Sequence, residues 1–432
     1  MMKSNSLYLK TWALSLLFFC IGFAAFNWFI DPFGVFGAIQ IEDFNTLKPD
    51  FSEHVRLGKA ATVSRLAPEA IVLGSSRAEQ AYDTEHPGWQ PQARPRYNLG
   101  LSAANMYEVL RYFQHAHGTQ PLEQSVLGLD FFVFNVYREN KPDFNEARLA
   151  VSLDGKNNFL TLRSDFFPVL LSNDAWNASL RTIRVQDASS IDTPYLSNGL
   201  RGWQDKSERI LEKGGHHKAF LANERLFAST LYLPAPQYNY DFVHSETGES
   251  TWEYYRLLLS TAYQDNVDLI LVINPSHARQ WELISALGLW DEFETWKREL
   301  VRINEQEAAR YSRSPFPLWD FSGYNSITTE KVPALEDKKT SMKWYYESSH
   351  FTKELGDLVL DKVFNHQEPG RNVPDDFGVL LTSETIERHL VQVRRDQQQY
   401  RDTHSEDVQE IQTIVAETEQ RQEFSQTENL PE

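Results

Sequence analysis

Apolar positions along this chain fall into one uncharged block near the N-terminus and, further on, a series of short continuous runs. The block is residues 11–30. Wound as a helix it is about 30 Å long, the thickness of a bilayer core. The short runs are "EAIVLG", "RYNLG", "SVLGLDFFVF", "VDLILVINP" and "FPLWDFSG". Apolar residues at successive positions suit strands buried on both faces, as in a parallel sheet. Between the runs the spacing turns helical: "SAANMYEVLRYFQHAHG" places Met106, Val109, Leu110 and Phe113 on one face, and "STWEYYRLLLSTAYQDN" and "LWDEFETWKRELVRINEQEAARY" behave alike. The alternation predicts an α/β domain over residues 68–366, built as a three-layer sandwich with a mostly parallel sheet. Residues 137–250 interrupt it. That stretch is too long for a simple loop and is expected to be a mainly helical insertion.

Residues 31–67 form an aromatic, proline-bearing lead that ends in an amphipathic run, "EHVRLGKAATVSRL". From about Glu384 the composition becomes Gln- and Glu-rich, and Ile386, Leu390, Val393, Val408, Ile411 and Val415 give only a thin apolar stripe. Residues 384–432 are therefore expected to be a solvated helix or a partly disordered acidic tail.

Charge fixes the expected topology. Lys3 and Lys10 precede the apolar block, and Asp31, Glu42 and Asp43 follow it. The basic flank stays in the cytoplasm, so residues 1–10 are assigned there, 11–30 to a single-pass anchor and the rest outside. A cleaved signal peptide is the alternative, since "GFAAF" is open to processing. With 42 Lys and Arg against 60 Asp and Glu, the net charge is −18. That balance argues against a nucleic-acid partner, which needs a basic face. The one cysteine, Cys20, excludes an intrachain disulfide and lies in the apolar block. "GGHH" at 214–217 lacks further ligands and is taken as a solvated loop, not a metal site. No metal, cofactor or nucleotide motif is evident.

In doubly wound sheets, ligands sit beyond the carboxyl ends of the strands. Ser75 and Ser76 follow the first candidate strand there and Gly100 follows the second. "NPSHA" closes the fourth, making Asn274 and His277 candidate pocket residues, with a helix-capping role as the alternative for His277. Far downstream, "WYYESSHFTKELGD" puts Glu347 three residues before His350, on a loop ahead of a helix that Thr352 caps. A serine hydroxyl needs a base to act as a nucleophile, and an imidazole needs a carboxylate to hold its tautomer. Ser76, His350 and Glu347 supply the three groups.

Together "VLGSSRAE", "YNLGLSAAN" and "ESSHFTKELGD" resemble the spaced blocks of the SGNH hydrolase superfamily, in particular exported, membrane-anchored members similar to alginate O-acetylation and teichoic-acid D-alanylation proteins. The resemblance implies a flavodoxin-like sheet, Ser76 as nucleophile, Gly100 as an oxyanion donor and Glu347-x-x-His350 in place of Asp-x-x-His. It further implies an acyltransferase or esterase acting on acyl groups of a cell-surface polysaccharide, outside a bacterial inner membrane, with the polysaccharide or an acyl-donor membrane protein as partner. Two departures stand out. Ser75 replaces the Asp of Gly-Asp-Ser, and the Gly-x-Asn-Asp block is missing, with "GLDFFVFN" and its Asp130 and Asn135 in its place. They leave open a second possibility, a catalytically silent scaffold of the same fold that binds glycan or assembles an envelope complex.

Overall fold

The structure is a computed structural model that describes residues 2–157, 169–187, 195–202 and 205–428. Three pieces of the expected insertion (158–168, 188–194 and 203–204) and the end of the tail (429–432) lie outside the described residues. In chain order, α1 (Met2–Ile30) and α2 (Val55–Leu66) precede β1 (Ala70–Leu73), α3 (Ser76–Ala81), β2 (Arg96–Asn98), α4 (Met106–Thr119) and β3 (Gln124–Leu129). The insertion contributes α5 (Asn173–Arg184), α6 (Lys206–Glu212) and α7 (His216–Leu226). Next come α8 (Thr251–Gln264), β4 (Asp268–Ile273), α9 (Ala278–Ala286), α10 (Trp290–Arg310), β5 (Leu318–Asp320) and α11 (Lys353–Phe364). Last are β6 (Val379–Leu380), α12 (Ile386–Thr403) and α13 (Ser405–Glu428).

The chain divides into two compact units. The larger comprises Pro68–Phe113, Pro121–Lys141 and Asn198–Glu432 and holds the six-stranded sheet, ordered β2-β1-β3-β4-β5-β6. Its first five strands are parallel and β6 runs antiparallel on β5. Alternate residues Ala70, Val72, Val126, Ile270 and Val272 join a cluster with Ala78, Leu355, Leu358 and Val359. Their neighbours Ile71, Leu73, Leu127, Leu269, Leu271 and Ile273 point to the opposite face and are equally buried. Burial on both faces is why these strands read as unbroken apolar runs. Each such side chain contributes about 1.5–3 kcal/mol relative to exposure.

Two expectations need correction. "SVLGLDFFVF" is a strand only as far as Leu129, where its pairing with β4 ends at Ile273. Phe131–Phe134 coil into a 3₁₀ turn, because Asp130 is drawn into side-chain bonds beyond the sheet edge. The tail is not merely solvated. Ile386, Leu390, Val393, Ile411, Ile414 and Val415 are buried, and the charged residues around them pair with distant ones. Arg394 meets Glu294 at 2.7 Å, His389 meets Asp320 at 2.9 Å, and the buried Arg279 takes Glu224, Asp407 and Glu410 at 2.6–2.8 Å.

The smaller unit comprises Met1–Ala67, Gln114–Gln120 and Pro142–Ser197. Within α1, residues Leu7–Ile30 are long and apolar enough to cross a membrane, with mean hydropathy 2.0 and little burial. Among the described residues of α1, the packed ones are at its C-terminal end. Trp176 of α5 stacks on Phe23 at 4.7 Å and meets Phe26 at 4.8 Å. Asn27 donates to the Leu170 carbonyl and accepts from Ser179 Oγ. Lys48 Nζ donates to the Ile30 and Asn45 carbonyls, putting positive charge at the helix C-terminus. Asp31 then accepts the amides of Val35, Phe36 and Gly37, which turns the chain away from the helix axis.

Candidate active site

At the carboxyl end of β1 the chain must turn from a buried strand into a helix in a single step. Gly74 allows it. Its φ of +133° is open to glycine, and a Cβ there would lie 2.6 Å from the Gly128 carbonyl oxygen. Ser75 follows as the N-cap of α3, its Oγ accepting the Arg77 amide at 3.2 Å and donating to Asp130 at 2.5 Å. Ser76 is then the first residue of α3 and is 8% exposed. Two adjacent serines thus have separate tasks, one holding the turn and one presented at its tip.

The histidine arrives from the other end of the domain. Tyr345 bridges Phe351, and the Tyr346 amide donates to the His350 carbonyl, which closes residues 347–350 into a tight turn ahead of α11. Thr352 caps α11, as its sequence position implies, by accepting from Leu355 N at 3.3 Å. Glu347 holds the turn as well as the ring. It accepts the amides of Ser349 at 2.8 Å and His350 at 3.1 Å, and its Oε1 accepts from His350 Nδ1 in a very short bond. With the proton on Nδ1, Nε2 is the acceptor, and it lies 2.7 Å from Ser76 Oγ. Ser76, His350 and Glu347 therefore form one serine–histidine–carboxylate chain, with the carboxylate on the side of the imidazole away from the hydroxyl.

Comparison with family models, with curated proteins and with solved structures finds no significant match.

Burial lowers the basicity of His350, and Lys206 and Arg201 reinforce it. Together they outweigh Glu347 and hold the ring below its ordinary pKa. Burial works to raise the Glu347 carboxyl, but His350, the Ser349 amide and Lys206 outweigh it, so Glu347 stays below the usual carboxylate value and ionised at neutral pH. The base is thus neutral and ready to accept a proton around pH 7, as a general base must be.

Three other sequence candidates are engaged elsewhere. The Gly100 amide donates to Asn98 Oδ1 at 3.0 Å, and a Cβ at Gly100 would lie 2.7 Å from the Glu79 amide nitrogen. That glycine lets β2 and α3 approach closely. Asn274 donates to Asp130 at 2.9 Å and accepts from Tyr82 OH at 2.5 Å, so it is locked beneath the site. His277 caps α9, with Nδ1 accepting the Arg279 amide and Nε2 donating to the Glu330 carbonyl at 2.7 Å. Its ring is a capping group, the alternative named for it, although its own amide donates to the Ser348 carbonyl and so supports the His350 loop. Asn135 is likewise structural, donating to the Tyr232 and Asn239 carbonyls. The "GGHH" histidines are not in a solvated loop. His216 is buried in α7, donating to the Tyr346 carbonyl and accepting from the Met342 amide, and His217 pairs with Glu410.

Sequence reasoning missed Arg77. Its Nη1 pairs with Asp130 at 2.6 Å, and its Nε donates to the Ser349 carbonyl at 3.1 Å. It therefore ties the serine turn to the histidine turn from below. Its place directly after Ser76 was the available signal, but a buried arginine next to a nucleophile has no periodicity to betray it. For an oxyanion, the Ser76 amide has no hydrogen-bond acceptor among the described residues. A second donor is not among the residues the sequence suggested.

Proposed function

We propose that this protein is a membrane-anchored, extracytoplasmic serine acyltransferase or esterase of SGNH hydrolase type, acting on acyl groups, O-acetyl foremost, of a cell-surface polysaccharide. One observation carries the reading: Ser76 Oγ at 2.7 Å from His350 Nε2, with Glu347 on the other ring nitrogen. The order of these groups along a mostly parallel α/β sheet, with the serine at a strand's carboxyl end, supports it. The apolar Leu7–Ile30 helix and the lysines before it support an anchor with the domain outside.

In this reading Ser76 Oγ attacks the ester carbonyl while His350 takes the hydroxyl proton. The tetrahedral intermediate collapses as His350 returns that proton to the departing alcohol oxygen. The acyl group is left on Ser76. An acceptor hydroxyl, from a sugar or from water, then gives its proton to His350 and attacks the acyl carbon, and the Ser76 Oγ–acyl bond breaks as Ser76 takes that proton back from His350. Glu347 keeps Nδ1 protonated throughout.

A second reading, a silent scaffold of the same fold, is favoured by one observation: the Gly100 amide and Asn274 are both bonded away from the serine. Losing one oxyanion donor typically costs about a hundred- to a thousandfold in rate. A fluorophosphonate probe separates the two. The wild type should be labelled at Ser76 and Ser76→Ala should not. A well-folded wild type that takes no label would leave only the scaffold.

A further inference from the structure

Ser76, Glu79 and Gln80 occupy positions i, i+3 and i+4 of α3 and so share one face of it. Two cations lie against that face. The Arg201 amide donates to the Glu79 carbonyl, and Arg201 Nη1 donates to Ser102 Oγ at 3.1 Å. Lys206 hydrogen-bonds Gln80 Oε1 and sits 4.1 Å from the centre of the Tyr346 ring, next to Glu347 in the chain. The fields of both cations reach His350.

Both are half-buried, and their pairing is unlike that of the fully buried cations here. Arg77 meets Asp130 at 2.6 Å, Arg279 meets Glu224 at 2.8 Å and Lys297 meets Asp320 at 2.7 Å. Among the described residues Arg201 reaches a carboxylate only at 4.0 Å, on Glu79, whose Oε2 already accepts from Ser102 at 2.5 Å. Lys206 has no carboxylate at salt-bridge distance among the described residues. Desolvation, reinforced by the charge of neighbouring Arg201 and only partly offset by Glu347 and Glu79, brings its pKa down to about 7. In a chain of net charge −18, two under-neutralised cations beside the candidate nucleophile work against the base they flank. A ligand that brings negative charge would offset that.

We infer that Arg201 and Lys206 form an anion subsite beside Ser76, so that the ester bound here carries a carboxylate, phosphate or sulfate group close to its reacting carbonyl. The inference rests on the serine-acyl reading above and adds a substrate class to it. The anion belongs either to the acyl part or to the alcohol part, and each has its own test ester.

The experiment uses the full chain in detergent and two ester pairs, each rate divided by that ester's spontaneous hydrolysis. 4-Acetoxybenzoate against its methyl ester tests an anion on the alcohol side. Phenyl 4-carboxybenzoate against phenyl benzoate tests one on the acyl side. For one pair the charged ester should have a kcat/KM about tenfold above the neutral one, the worth of a charge-assisted contact. The ratio should fall to about one in Arg201→Gln/Lys206→Met and persist in Lys206→Arg. Ratios at or below one in the wild type for both pairs, or a preference that survives the double substitution, would overturn the subsite. A neutral fluorophosphonate run on the same samples tells the failures apart. Label on Ser76 with flat ratios rejects the subsite alone, whereas no label and no turnover rejects the serine chemistry and the subsite with it.

Discussion

His350 and His277 are easily confused in the sequence. Each follows a polar loop at the carboxyl side of the sheet and each stands just before a helix. Yet His350 offers Nε2 to Ser76 and Nδ1 to Glu347, while His277 spends both nitrogens on backbone, capping α9 and holding the Glu330 carbonyl. What separates them is a carboxylate three residues upstream. Glu347 turns the loop, fixes the tautomer and leaves Nε2 facing the hydroxyl. Nothing equivalent precedes His277, whose ring burial holds at a pKa of about 4 against a backbone carbonyl. A sheet-edge position brings a histidine to the site, but its second partner decides whether it can do chemistry.

The contrast is broken most severely by removing the reacting groups. Ser76→Ala and His350→Ala should each lower ester turnover by about a million-fold, and the double variant should be no worse, because the pair acts as a unit. Glu347→Gln should cost about 10⁴-fold, since it orients the base without reacting. Turnover of a chromogenic ester measures all of these, and near-wild-type activity in Ser76→Ala would end the comparison.

Asp130→Ala probes the scaffold shared by both histidine loops. It strips the partner from fully buried Arg77 and should destabilise the fold by about 3–5 kcal/mol in urea unfolding. His277→Ala should cost less, about 1–3 kcal/mol, and leave Ser76 open to the fluorophosphonate. It should also flatten the acid side of the stability profile. The folded His277 resists protonation down to about pH 4. The unfolded chain takes that proton from about pH 6.5, so stability falls as the pH drops between those values. The wild type should lose up to about 3 kcal/mol over that window from this residue, and the variant should lack that part of the slope.

The smallest effect sharpens the description of His350 itself. Because its pKa lies below the ordinary value, kcat/KM should hold up as the pH falls past 6.5. Lys206, a cation at that pH, contributes to the lowering, so Lys206→Met should move the acid limb to higher pH. A limb that stays put or moves down would show that burial alone sets the base.

The parts of the fold that hydropathy controls were legible. The five parallel strands and α4, α8, α10 and α11 fall where apolar runs and helical spacing put them, because each buries its own residues. The chain Ser76–His350–Glu347 could be foreseen because each member sits at an element boundary with its own local signal. What stayed hidden depends on pairing across the chain. The tail looks polar because its charges are matched by Glu294, Asp320 and Arg279, more than sixty residues away in sequence. β6 has only two residues, both exposed, and exists through its pairing with β5. The occupation of Asn274 by Asp130 is likewise invisible until the partners are placed.

The end of α1 bears on how this protein can be handled. Phe23, Phe26 and Asn27 are walled in by Trp176, Leu170 and Ser179, so the folded unit begins inside the apolar helix, not after it. Clipping at the "GFAAF" stretch would remove part of that packed end along with the leader. A version shortened to start at Asp31 would leave the Trp176 face of α5 bare, sticky and prone to self-association. The stretch left free above the packed end, residues 7–22, measures only about 24 Å as a helix even with Lys10 counted in, a few ångströms less than a bilayer core. If that stretch spans, it has no slack, and the smaller unit has to ride flush against the headgroups instead of swinging on a stalk.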